Sequence, residues 1–184
     1  ARRTAAKSIH NYFFLKGLDA AREGGIVAFI TSEGVLNSPK NELVRQHIVK
    51  NANIVSVVRL PNNLFTDHAG TEVGSDLVIL QKDTKKNREL SEQEKRFIRA
   101  TDIGDGIIEN EYTMSVAPLP NTKTQHGTDP YGKPALLTIH QGGIRAMGED
   151  LKEHLDIAVS ANLNIDLYNR YRQGAPEVKL ETEN

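Results

Sequence analysis

Between Gly24 and Lys82 three apolar runs are separated by one helical stripe and then by a loop with no helical period. That ordering constrains the fold more than any other feature. Ile26–Ile30 follows a Gly-Gly turn and is unbroken, which suits a strand buried on both faces, as in a parallel sheet. Ser38 followed by Pro39 marks a helix start, because proline at the first helical position lacks only an N–H that would be orphaned anyway. Leu43, Val44, His47 and Ile48 then give an i, i+1, i+4, i+5 stripe. Ile54–Leu60 is β-branched, bounded by Asn53 and Pro61, and reads as a second strand. Strand, helix, strand makes a right-handed parallel crossover. Residues 61–74 hold Pro, two Asn and two Gly. They are too few for another crossover helix, so Asp76–Leu80 is expected to return antiparallel. The run reads as the back half of a nucleotide-type α/β sheet whose front half is missing.

The flanking segments are less patterned. Ile9, Phe13, Leu18 and Ala21 predict a helix over 9–22, with Ser8 as N-cap and Gly24-Gly25 as its stop. Asp83–Arg88 reads as a polar, largely basic linker. Ser91–Arg99 predicts a short helix, with Glu94 completing a capping box. Thr101–Gln125 reads as turns, on Gly104, Gly106, Pro118 and Pro120. Ala135–His140 is expected as an isolated strand, and Ile144–Val159 and Asn164–Arg172 as helices. The tail after Gly174 reads as frayed.

Net charge is −1, split as +2 over residues 1–83 and −3 over 84–184, so the whole chain is no generic polyanion binder. The absence of cysteine excludes thiolate chemistry and disulfides and fits a cytoplasmic setting. No apolar run approaches the roughly 20 residues of a membrane span. The chain opens on Ala and holds only Met114 and Met147, which reads as an internal piece of a longer protein.

Residues 9–82 resemble the carboxyl half of the catalytic domain of N6-adenine DNA methyltransferases. Type I modification subunits and the large bacterial methylase-helicase fusion proteins are the nearest in pattern. The resemblance rests on the helix ending in Gly24-Gly25, the Ile-Val-Ala-Phe-Ile strand, and Gly34 and Leu36. It continues through Arg59-Leu60-Pro61, the Asn62-to-Phe65 loop, Ala69-Gly70 and Ser75–Lys82. Gly127–Ala135 looks like a further signature of the fusion-type members.

The fold so implied is α/β. It is a partial Rossmann-like methyltransferase sheet of two parallel strands with a crossover helix and then an antiparallel strand, followed by a mostly helical C-terminal extension. Residues 1–83 form the methyltransferase-like half and 84–184 an α+β extension. The family extrudes its target base from the duplex, and an aromatic face holds a flipped base at roughly 1–3 kcal/mol of stacking. The resemblance places Phe65 in that stacking role. Asn62 and Asn63 become polar rim candidates and Lys82 a phosphate contact. From the residues alone, Phe65 equally reads as a plug for the sheet end beside Leu64. The implied cofactor is S-adenosylmethionine, in the parent protein rather than in this chain. The implied partners are DNA and the missing N-terminal half of the domain. The exposed edge of the first strand is expected to be covered by a second copy or by the chain's own C-terminal segment.

The departures from the family pattern carry equal weight. The catalytic Asn/Asp-Pro-Pro-Tyr/Phe loop is absent, since no two prolines are adjacent. No glycine-rich cofactor turn precedes Ile9. The chain alone is therefore expected to be inactive, with no catalytic, cofactor-binding or metal residues of its own. A non-catalytic binding or assembly module that kept the sheet is the competing reading. Asp102-Ile103-Gly104-Asp105-Gly106 mimics an acidic cofactor turn, and Asp129-Pro130-Tyr131-Gly132 mimics the catalytic loop. Both read better as plain turns. Lys82, Lys85, Lys86 and Arg88 suit either a phosphate track or a solvated linker. Tyr168, Arg170, Tyr171 and Arg172 suit a nucleic-acid surface or ordinary charges at a helix end.

Overall fold

The computed structural model describes residues 8–66 and 72–171. Ala69-Gly70, His68, Arg172 and the tail after Gly174 lie outside the described residues.

A three-stranded sheet is built from β1 (Ile26–Ser32), β2 (Ala52–Leu60) and β3 (Ser75–Lys82). β3 lies between the other two and runs antiparallel to both, so β1 and β2 point the same way without touching. The antiparallel return of the third strand is as the short 61–74 loop requires. A fully parallel sheet is not what these residues build.

Helices α1 (Ile9–Ala20) and α3 (Glu42–Asn51) cover one face, with the single turn α2 (Gly34–Asn37) between them in the chain. Phe14, Leu15, Leu18, Val44, Ile48 and Val49 close there over Val27, Val57, Val78 and Leu80. Beyond Asp83, α4 (Glu92–Ile98) adds Phe97 and Ile98 to the same core, and α5 (Glu111–Ser115) adds Tyr112. The long helix α6 (Ile144–Asn162) covers the other face, where Leu151 and Leu155 meet Val58, Leu60 and Leu77. A bulge between Ile54 and Ser56 resets the alternation of β2. Val57 and Arg59 thereby share the α1/α3 side with Ile54, while Val58 and Leu60 turn to α6.

Three expectations shift. β1 is not buried on both faces: it pairs only with β3 among the described residues, and Ile26 and Ile30 are exposed. The Ser38–Pro39 start gives one short 3-10 turn, Pro39–Asn41, before α3 begins. The buried stripe of α3 is Val44, Arg45, Ile48 and Val49, while Leu43 lies outside. Arg45 tolerates burial because its guanidinium donates to the carbonyls of Ile98 (2.8 Å), Val35 (3.1 Å) and Ser38 (2.8 Å). Burial lowers its pKa to about 10.

The C-terminal half holds more strand than the sequence suggests. β4 (Ala100–Asp102) pairs with β5 (Ile108–Asn110), and β6 (Thr122–Thr128) pairs with β7 (Pro134–His140). Ala135–His140 is thus one arm of a hairpin, not an isolated strand. Its partner escaped notice because Thr122–Thr128 is almost wholly exposed and carries no apolar alternation. A last helix, α7 (Ile165–Arg170), is capped by the Asn164 side chain, which accepts from Leu167 N–H.

The basic linker is part of this packing. Lys86 Nζ donates to the carbonyls of Val49 and Ala52 (2.8 Å each) and to Glu94, closing the C-terminal end of α3. Arg88 holds Glu94 from two nitrogens at 2.7 and 2.9 Å, and the Ser91/Glu94 capping box forms as expected. Burial would raise the Glu94 pKa, but the hydrogen bonds from Arg88 and Lys86 win and hold it down to about 2. Its stabilising effect is therefore complete above the ordinary 4.5 and is lost as pH falls towards 2. Lys86→Met removes one cation from a buried carboxylate and is expected to cost about 2–4 kcal/mol in urea unfolding at neutral pH. The deficit should shrink as the solution is acidified.

Candidate functional site

Phe65 ends a 3-10 turn, Asn62–Phe65, that leaves the tip of β2. It is half-buried and faces a cleft of about 760 Å³ at the tips of the three central strands. Glu33, which follows β1, and Ser75, which opens β3, line the same cleft. Glu109 of β5 closes one side, and the tip of the β6–β7 hairpin, with Tyr131, overhangs the other.

Asn62 and Asn63 fasten that hairpin to the turn. Asn62 Oδ1 accepts from Thr138 N–H at 2.7 Å. Asn63 bonds His140 both ways, accepting from its N–H and donating to its carbonyl at 3.0 Å each. The two amides thus act as a short extra edge for β7, fixing Phe65 and the hairpin as one unit. His140 is buried and its Nε2 lies 2.9 Å from Asp150 Oδ2, which ties the same unit to α6.

Lys82 sits at the opposite end of the sheet. Its Nζ donates to Ala21 O at 2.7 Å and Asp19 O at 3.3 Å, closing the end of α1. Lys85 donates to Tyr171 Oη at 3.1 Å, and the Arg22 guanidinium covers the Tyr168 ring at 4.6 Å. The aromatic-basic interleaving at the C-terminus therefore joins α7 to the start of β1.

The two loop mimics are turns. Asp129 Oδ1 accepts from Tyr131 N–H and Lys133 N–H at 2.8 Å each, and Gly132 takes a positive φ of 80° that suits glycine. Asp102–Gly106 joins β4 to the antiparallel β5. A cofactor turn instead joins a strand to a helix N-terminus. The Asp102–Gly106 loop thus lacks the strand-to-helix geometry of a cofactor turn. Among the described residues no cluster of His, Asp or Glu could hold a metal ion.

What the sequence did not reveal is a charge cluster behind the cleft, which Glu33, Asn37 and Glu109 also line. Arg59 Nε donates to Asp76 Oδ1 at 2.6 Å, while Nη1 lies 3.1 Å from Glu109 and 3.4 Å from Glu33. Nη2 donates to Asn37 Oδ1 at 3.2 Å. Burial opposes the guanidinium charge, but Asp76, Glu109 and Glu33 together keep it protonated. One cation cannot balance three carboxylates. Burial raises the pKa of Asp76 and of Glu109 against the pull of Arg59. Glu33 is pushed up to about 7, mainly by burial, with Arg59 opposing and Glu109, Asp76 and Asp129 reinforcing. The Arg59↔Asp76 cross-strand register was the signal available, but only with the bulge placed.

An α/β unit with antiparallel sheets and an aromatic at the strand tips is the class these features define. A family model described as N-6 DNA Methylase matches residues 2–124, and the chain belongs to that family. The match runs past Asp83 through α4, β4, β5 and α5. No curated protein and no solved structure matches the chain.

Because the folded pKa of Glu33 lies above its ordinary 4.5, the folded state holds an extra proton between that value and about 7. Stability is therefore lost as pH rises through this window. Glu33→Gln is expected to raise stability by roughly 1–2 kcal/mol at about pH 8 and by nothing near pH 4. Melting curves across that range check it.

Proposed function

We propose that this chain forms one wall of the target-base pocket of an S-adenosylmethionine-dependent N6-adenine DNA methyltransferase. Adenine's amine is buried in a duplex, so the base must be extruded before it meets a methyl donor. Phe65 stacks on the extruded ring. The observation that carries this reading is its place: a half-buried aromatic at the strand tips, lining an open cleft and locked to a hairpin by Asn62 and Asn63. The methyl transfer itself falls to an Asn-Pro-Pro loop and a cofactor turn outside this sequence. This wall contributes orientation, which lowers the barrier by fixing the reacting geometry in advance.

The open edge of β1, with exposed Ile26 and Ile30, is where the remainder of the methyltransferase sheet adds. In the isolated chain a second copy takes that place. Among the described residues no helix is long and apolar enough to cross a membrane.

In the intact protein, Phe65→Ala is expected to weaken binding to its target duplex by about tenfold or more, and Phe65→Trp to retain it. A target-site 2-aminopurine, bright when unstacked from its neighbours, reports the extrusion. Unchanged binding and fluorescence in Phe65→Ala would overturn the reading. For the edge, Ile30→Lys should shift the isolated chain towards monomer in sedimentation at fixed concentration.

A further inference from the structure

Glu33 has no part in the stacking role, yet its seat is specific. Its carboxylate lies against the Cα of Gly74, so that a Cβ built there would stand 2.0 Å from Oε2 and 2.6 Å from Oε1. Any side chain at position 74 would evict it. Ser75 is an independent sign of an unfilled site. It lines the same cleft, is 4% exposed, and its Oγ has no hydrogen-bond partner. A buried hydroxyl without a partner is costly, and a ligand in the cleft would supply one.

The ligand's chemistry narrows what these groups do. In the proposed reaction the catalytic loop accepts the protons of the target amine. The polar atoms left on adenine are then ring nitrogens N1, N3 and N7, which only accept. The rest of the pocket must donate. A hydroxyl can donate, and a carboxyl can while it keeps its proton. Asp76 and Asp129 face Glu33 from β3 and the hairpin tip, Glu109 and Arg59 from β5 and β2; His10 of α1 and Tyr131 and Lys133 of the hairpin complete the ionisable lining. Three carboxylates against one nearby guanidinium favour the protonated form.

We propose that Glu33 determines specificity for the extruded base, its carboxyl donating a hydrogen bond to a ring nitrogen of adenine with the Ser75 hydroxyl as second donor. This rests on the target-base reading above.

The test is binding of the intact protein to target duplexes bearing adenine, 1-deazaadenine, 3-deazaadenine or 7-deazaadenine, measured from about pH 6 to 9. For the wild type, affinity falls about tenfold over that range, and one deaza substitution costs about tenfold at the acid end. Glu33→Gln keeps a donor at every pH, so it binds adenine well and its profile is flat. Glu33→Leu binds about tenfold more weakly at the acid end and does not distinguish that deaza analogue from adenine. A purely structural role would leave the deaza discrimination intact in both variants, and that outcome overturns the proposal. So does a pH profile in Glu33→Gln that matches the wild type. Phe65→Ala separates the two claims. If it weakens every duplex while the Glu33 variants behave as wild type, only the Glu33 assignment falls. If it weakens none, the pocket reading falls with it.

Discussion

The Arg59 guanidinium is the interaction on which the upper end of the molecule depends. It leaves the tip of β2 and binds the residue after β1, the second residue of β3 and a residue of β5. Through Asn37 it also reaches Asn110, whose N–H donates to the same Asn37 oxygen at 3.0 Å. Asn110 in turn donates to the carbonyls of Phe97 and Arg99, so α4 and the β4–β5 hairpin are held to the sheet tips through one polar chain. Asp76, Glu109 and Asn37 are buried, so those bonds form where water cannot compete, and losing the central cation would leave carboxylates without compensation. The excess of negative charge is the cost of building a cleft wall this way. It also reinforces burial in raising the pKa of Glu33 to about 7.

A second fastening works on the other wall. Asn62 and Asn63 bind the backbone of β7, and His140 carries the link on to Asp150 of α6. Phe65 is therefore not a side chain on a loose loop. Its turn has a fixed relation to the hairpin tip that faces it, which is what the proposed stacking role requires.

The charges of the 82–88 segment hold neighbouring elements together. Lys82, Lys86 and Arg88 have the types and spacing of a phosphate track. In the structure they close helix ends and neutralise Glu94. A helix C-terminus exposes carbonyls that seek donors, and lysine meets that need as well as it meets phosphate.

The sequence alone determined the elements whose signals are local. Apolar runs placed β1, β2 and β3, the short 61–74 loop fixed the antiparallel return, and Ser91 with Glu94 announced a capped helix. The family pattern was legible because it is a matter of order and spacing. Only the tertiary structure decided which faces are buried, because a strand's burial depends on neighbours its own residues do not encode. Thus β1 reads as a strand buried on both faces but leaves Ile26 and Ile30 exposed, and Thr122–Thr128 reads as loop but pairs with β7. The Arg59 cluster gathers residues from positions 33 to 109. Its raised carboxyl pKa follows from burial and from the sum of like charges, quantities that exist only after the chain has folded.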